Sequence, residues 1–517
     1  MKGNLLRLFI ICVMSIFTLG ASAIRGGETP DKNYLCFTAN EAGSTVALVK
    51  SGNSTALNIA YSIDGMTWSD YTFGTVITLN DAGDKVYFRN ADEGVASGFS
   101  ISTLNRYFFS MSGSIAASGN VMSLIDQSCK ATEIPDNDDY CFCDLFMGCR
   151  ALTSAPELPA TKLTNYCYEN MFLGCTNLTS APELPAITLA ENCYLSMFNG
   201  CTSLTSAPEL PATTLATYCY SSMFSGCTSL TSAPELPATT LADYCYVSMF
   251  QNCTGLTSAP ELPAMILVTG SYNTMFKGCT GLKTVSVAWD DGKTRNTKEW
   301  LNEVSSTGTF ICPTKLDLGI GQIPWEWTVK NTYDLTITDA GWASMCVNLP
   351  LEIPEGVEVY YASAVEGSTI SLTQIEAGTT ITPRTAVLVK GTGTVSFPII
   401  AAAGTAYTSN LFAGTSADKA KKENVYVLSG VGSTGNPQFQ NYTGTTLGAH
   451  KIWLPASAVG GSNAKELRFV FENEETGIHS INVNDNDNEN MYNLNGVRVN
   501  DGYKGIVIVN GKKVIKK

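Results

Sequence analysis

Leu204 to Ser229 reads LTSAPELPATTLATYCYSSMFSGCTS, and nearly the same 26 residues stand before and after it. The closing cysteines fall at Cys149, Cys175, Cys201, Cys227, Cys253 and Cys279, and Leu152, Leu178, Leu204, Leu230, Leu256 and Leu282 keep the same step. Self-similarity at a fixed period of roughly 20–50 residues marks a solenoid, because one unit cannot bury its apolar face alone. Each unit reads as a short strand (Leu-Thr-Ser-Ala), a turn and a compact helical segment. Pro208 and Pro211 bound the turn because neither can donate to a strand ladder. Tyr220, Met223, Phe224 and Cys227 recur at three- and four-residue spacing, which places them on one helical face. Strands stacked about 4.8 Å apart would make an array about 25–30 Å long. Such surfaces are extended and bind, so the repeat points to recognition before catalysis.

Working outward, the unit before Cys149 is degenerate (ATEIPDNDDYCFCDLFMGC), and after Cys279 the pattern dissolves into Lys283–Val287. Solenoid ends need caps, and an amphipathic helix predicted over Thr297–Val304, with Trp300 and Leu301, serves as the trailing one. Residues 24–127 read as a β-sandwich, from alternating runs such as Thr45–Val49, Leu57–Ile63, Val76–Leu79 and Lys85–Arg89. Asp64-Gly65 predicts a type I′ hairpin. Ser62, Asp64, Gly65 and Trp68 resemble the Asp-box of sialidase propellers with one residue fewer, and a plain hairpin with a packed Trp accounts for them as well. Strand signals return over 332–476, at Val357–Tyr361, Thr369–Gln374, Thr385–Lys390, Val425–Ser429, Lys451–Leu454 and Leu467–Phe471, and predict a second sandwich or jelly-roll-like domain. An acidic linker (477–490) leads to two strands over 491–517, around Met491–Val499 and Lys504–Ile515.

The chain has 517 residues, 44% apolar and only 15% charged, with a formal net charge of −14. No basic stripe is present to neutralise phosphates, which argues against a nucleic-acid partner. Residues 1–23 form a secretory signal: Lys2 and Arg7 are its positive region, Leu8–Leu19 its apolar core, and Ala21-Ser22-Ala23 its cleavage site. No other stretch could span a bilayer. The expectation is an exported protein, secreted or on a cell surface, not membrane-spanning.

The array's cysteines form two sets. Cys167, Cys193, Cys219 and Cys245 stand eight residues before Cys175, Cys201, Cys227 and Cys253. Intra-unit disulfides, buried thiol ladders and a zinc ladder are the three readings. Ser271 replaces the first cysteine of the last unit while Cys279 remains, which favours packing, since free Cys behaves as a small buried hydrophobe. The array holds no His and no CxxC pair, which weighs against a metal. Glu157, Glu183, Glu209, Glu235 and Glu261 recur beside Ser154, Ser180, Ser206, Ser232 and Ser258. They form either a solvated row or an acidic, polar strip that meets a repetitive ligand or calcium. Variation between units gathers at Lys162, Glu169, Leu195, Val247 and Lys277. The only histidines are His450 and His479, both expected in exposed loops, so a His-based triad or HExxH site is nearly excluded. Gly430–Gly435 fits GxGxxG, but Asn436-Pro437 follows where a helix should begin, so it reads as a turn. Asp485, Asp487 and Glu489 lack the glycine of a calcium loop and read as linker. No catalytic residue, metal or cofactor is assigned.

Leu230-Thr231-Ser232-Ala233, Leu236-Pro237, Met249-Phe250 and Cys253-Thr254-Gly255-Leu256 match the repeat skeleton of BspA-like (Treponema-pallidum-type) leucine-rich-repeat surface proteins, with three extra residues around the Tyr-Cys-Tyr segment. Glu299–Thr328 resembles the cap of such proteins. Tyr492–Gly496, Lys504–Ile506 and Asn510–Val514 resemble the C-terminal sorting modules of Bacteroidetes secreted proteins. The fold expected is multi-domain and mainly β, with a central leucine-rich-repeat solenoid (128–287; a short strand plus a short helix per 26-residue unit), its cap (288–331) and flanking β-sandwich-like domains. The resemblance implies a secreted or cell-surface adhesion protein that contacts host or bacterial surface proteins or glycans. Polysaccharide capture through aromatics of the β-domains, such as Trp68, Tyr71 or Trp342, is the alternative, and a glycosidase a more distant one.

Overall fold

The computed structural model describes residues 32–52, 57–96, 99–100, 102, 104–136, 138–290, 296–313, 323–431, 437–459, 466–471, 478–479, 491–493, 505–509 and 512–516. The signal segment 1–23, the core of the GxGxxG stretch and Asp485–Glu489 lie outside them. The chain is mainly β, built from several sheets, and among the described residues holds no α-helix, only 3-10 turns at Val121–Leu124 and Ala456–Val459. It divides into two units, Met1–Asn331 and Thr332–Lys517.

The helical segment predicted in each repeat is not a helix. Tyr218, Ser222 and Gly226 all have positive φ (55°, 54° and 74°), so the chain turns left-handed at every fourth residue. The amides then alternate. Cys219, Ser221, Met223, Ser225 and Cys227 donate three residues back, to Ala216, Tyr218, Tyr220, Ser222 and Phe224. Tyr218, Tyr220, Ser222, Phe224 and Gly226 instead donate to Asp243, Cys245, Val247, Met249 and Gln251 of the next unit. Half the donors a helix would need are committed between units. Glycine or Asn fills the third left-handed position in every unit (Gly148, Gly174, Gly200, Gly226, Asn252 and Gly278), because glycine has no Cβ to clash there and Asn tolerates that backbone better than other side chains.

The strand expected in each unit forms only at the ends, as Leu152–Ser154 and Thr284–Ser286. The two prolines that follow Leu-Thr-Ser-Ala remove two donors per unit, leaving too few for a continuous ladder. Stacking of side chains takes the ladder's place. Phe146, Phe172, Phe198, Phe224, Phe250 and Phe276 lie face to face at 5.4–5.7 Å, within 10° of parallel. Tyr168, Tyr194, Tyr220, Tyr246 and Tyr272 form a second column at 5.8–5.9 Å.

Both columns end on aromatics from outside the repeats. In the N-terminal region, β1 (Leu35–Ala39), β2 (Ser44–Lys50), β3 (Ile59–Ser62), β4 (Ser69–Asp70), β5 (Ile77–Leu79), β6 (Lys85–Asn90), β7 (Tyr107–Ser112) and β8 (Ile115–Ser118) form two sheets. One runs β4-β3-β6-β1-β8 and continues in parallel into Leu152–Ser154; the other is β5-β2-β7. Phe109 of β7 stacks on Phe146 at 5.3 Å and meets Phe37 and Phe88 edge-on. One apolar core therefore runs from Leu35 through every repeat to Trp327, across the expected boundary at 127. At the far end Trp289 stacks on Tyr272 at 5.0 Å, and Trp300 tilts against Phe276 and meets Phe310 edge-on. Edge-on contacts stop a stack because they cover the last open face.

The trailing helix expected over Thr297–Val304 is likewise a further set of turns, left-handed at Glu299 and Glu303. It accepts from Tyr272, Thr274, Phe276 and Gly278 through the carbonyls of Asn296, Lys298, Trp300 and Asn302. The parallel strands Thr284–Ser286, Thr309–Ile311 and Thr328–Lys330 close this end.

The Asp64-Gly65 hairpin also differs in detail. β3 and β4 pair with Tyr61 opposite Ser69, leaving a loop too long for a two-residue type I′ turn. Its shape comes from Asp64, whose Oδ1 accepts from the Met66 and Thr67 amides at 2.8 and 2.7 Å and from the Ser62 hydroxyl at 2.8 Å. The Thr67 and Met66 amides, then Ser62, hold its carboxyl far below the usual carboxylate range. A depressed native pKa adds stability at neutral pH that is lost as pH falls through the acid range. The stability gap between the wild type and Asp64→Asn, followed by urea denaturation, is expected to be full above about pH 5 and to shrink below about pH 4. A gap independent of pH would contradict this role.

In the second unit a nine-stranded sheet runs Trp342–Met345, Val387–Lys390, Glu358–Glu366, Thr369–Ile375, Glu466–Phe471, Pro437–Asn441, Val425–Val431, Ile452–Pro455 and Ala413–Gly414 in spatial order. Each of the six predicted runs overlaps one of these strands. Near the C-terminus, Met491–Asn493, Gly505–Val509 and Lys512–Lys516 pair with one another and with Ile478–His479. His479 is thus in a strand rather than a loop. His450 is half-buried, with Nδ1 3.3 Å from the Cys346 carbonyl oxygen.

Candidate functional site

The two cysteine sets stand in separate columns. Cys149, Cys175, Cys201, Cys227, Cys253 and Cys279 are buried, and each thiol donates to a phenylalanine carbonyl at 2.9–3.2 Å: Cys149 to Phe109 of β7, and the others to Phe146, Phe172, Phe198, Phe224 and Phe250 one unit back. Cys167, Cys193, Cys219 and Cys245 are equally buried. Burial pushes the thiols up, to about 12 for Cys167 and Cys219, and the neighbours that add to this for Cys193 and Cys253 are the cysteines above and below in the same column. None of the sixteen described cysteines stands in a disulfide. Thiols so far from ionising are poor nucleophiles and poor metal ligands.

Ser271 continues the second column, wholly buried, with a hydroxyl that finds no partner among the described residues. A buried hydroxyl left unpaired costs about 1–3 kcal/mol. Ser271→Cys is therefore expected to raise stability by about 1 kcal/mol. A lower thermal midpoint would contradict the packing role of this column.

Glu157 and Glu183 are exposed, while Glu209, Glu235 and Glu261 are half-buried. Glu157 accepts from Asn33 Nδ2 at 2.6 Å. Ser154 donates to the Ala117 carbonyl at 2.8 Å, which ties it to β8, whereas Ser180, Ser206, Ser232 and Ser258 are exposed. Thr179, Thr205, Thr231 and Thr257 are exposed beside them. Among the described residues no group of three His, Cys, Asp or Glu side chains could hold a metal ion. Of the varying positions, Lys162 pairs with Asp136 at 2.8 Å and Lys277 with Glu299 at 2.7 Å.

The three aromatics named for polysaccharide capture do not form a platform. Tyr71 and Trp342 are buried. The Trp68 ring carries the Arg89 guanidinium at 4.2 Å and abuts Tyr34 edge-on. A different aromatic row emerges in the array. Tyr140 and Tyr166 stack at 4.4 Å, and Tyr218 and Tyr244 at 4.8 Å, all four half-buried at the surface. Their periodic placement before each cysteine was visible in the sequence. They fall in one column, continued by Asn192 and Gly270.

No family model, curated protein or solved structure matches the chain. Among the described residues no helix is long and apolar enough to cross a membrane.

Proposed function

We propose that the chain is a secreted or cell-surface binding protein, an adhesin in which a leucine-rich-repeat-type solenoid displays a periodic surface to host or cell-surface macromolecules. The observation that carries this reading is the division of labour within each unit. Leu, Cys, Met, Phe and the inner Tyr are consumed by packing, while Thr, Ser and Glu recur on the outside at the spacing of the stack. A surface repeated so regularly offers many identical weak contacts, whose sum exceeds any one of them when the partner is itself repetitive. Polysaccharide capture is the second reading, favoured by the outer tyrosine column.

Binding of the full chain to a panel of extracellular-matrix proteins, whole bacterial cells and a glycan array tests this. Saturable retention on at least one surface is expected, with binding lost when Ser206, Ser232, Glu209 and Glu235 are together replaced by alanine. Turnover of a polymer by the purified chain, or no retention on any surface, would overturn it.

A further inference from the structure

The outer tyrosine column has one gap. Tyr140, Tyr166, Tyr218 and Tyr244 all hold φ between 55° and 68°, a region that bulky side chains seldom adopt. Asn192 and Gly270, residues far better suited to that backbone, occupy the same column. Strained tyrosines kept at four positions are a reason to ask what the rings do. Each pair spends one face of each ring on its partner. The free face of Tyr166 and the free face of Tyr218 are then turned toward the intervening unit, roughly 9 Å apart at two steps of the column. That unit carries Asn192, whose side chain is shorter than a phenol, so the column has no ring at that step.

Asn192 is only 7% exposed, and its carboxamide makes no hydrogen bond to any described residue. The exposed carboxylate of Glu191 stands beside it. Resting on the proposed binding function, we propose that Tyr166, Asn192 and Tyr218 form a saccharide subsite that takes one pyranose ring of a glycan. The C–H faces of the sugar would lie against the two phenol faces. Its hydroxyls would satisfy the Asn192 carboxamide, which both donates and accepts, and Glu191 would accept at the rim. A purely apolar ring in the same slot would bury that carboxamide without a partner, which disfavours an aromatic side chain of a protein.

The test titrates the full chain with cellohexaose, chitohexaose, xylohexaose and mannohexaose, by calorimetry and tyrosine fluorescence. At least one is expected to bind. Asn192→Tyr, which completes the column with its neighbours' own residue, should weaken that sugar at least tenfold while the thermal midpoint stays level or rises. Tyr218→Asn, which removes one wall using a residue the column already accepts, should do the same and guards against misfolding of the first variant. Sugar binding unchanged in both variants overturns the subsite and leaves the binding function standing. So does retention on matrix protein or cells with no affinity for any of the four sugars. Loss of a protein ligand alone in Asn192→Tyr overturns the saccharide in favour of an aromatic peptide. Binding to nothing at all overturns both proposals.

Discussion

Phe224→Ala is expected to lower stability by about 3–5 kcal/mol, measured by urea denaturation of the full chain. The ring is fully buried and stacked on both faces, at 5.7 Å against Phe198 and 5.6 Å against Phe250. Its removal loses the transfer energy of the ring, and each stacked neighbour adds about 0.5–1.5 kcal/mol beyond the area buried. The cavity cannot readily collapse. Phe198, Phe224 and Phe250 are each bonded through the backbone amide to the following unit, so neighbouring units cannot close up without breaking that ladder. Because each repeat touches only its neighbours, the damage should also split the transition, with a smaller dependence on denaturant for the first phase. Tyr218→Ala, at a half-buried position with one stacked face, should cost clearly less. Equal losses in the two variants would contradict the assignment of the inner column as core.

Trp300→Ala is expected to cost a similar amount, about 3–5 kcal/mol, and to do something the first variant does not. Trp300 is 1% exposed and lies between Phe276, Trp289 and Phe310. Truncating it uncovers the end of the phenylalanine column, an apolar face that the rest of the array covers with its next unit. Such an end invites another copy to stack on it. Sedimentation velocity should therefore show concentration-dependent association in Trp300→Ala and not in Phe224→Ala. Trp325→Ala is the control: that side chain is 89% exposed, and the change should stay within about 0.5 kcal/mol. A monomeric, near wild-type Trp300→Ala would contradict the capping role.

Much of the scaffold was legible because stacking writes itself into sequence at fixed intervals. The Leu, Phe and Cys columns, the degenerate leading unit and the β-strands on both sides followed from periodicity alone. The local backbone did not. Tyr220, Met223, Phe224 and Cys227 have the spacing of a helical face, and a chain of four-residue turns that is left-handed at Tyr218, Ser222 and Gly226 presents the same side chains inward. The glycine at the third of these positions was the available sign, since a helix would have no use for it in unit after unit. Tyr140, Tyr166, Asn192, Tyr218 and Tyr244 also stand one unit apart, but which face of the unit they occupy depends on the local backbone. The Asp64 turn was read from the dipeptide Asp64-Gly65, whereas the carboxylate's bonds to Met66 and Thr67 set the longer loop.

The central claim is that the array's regularity is the regularity of a packed core, cysteines included. Counting thiols under non-reducing conditions, first folded and then in guanidinium, tests it most directly. The ten array cysteines Cys149, Cys167, Cys175, Cys193, Cys201, Cys219, Cys227, Cys245, Cys253 and Cys279 should resist a maleimide at neutral pH while the protein is folded, and all ten should react on unfolding. Thiols still blocked after unfolding would mean bridges within the units, and thiols open in the folded chain would mean no such core.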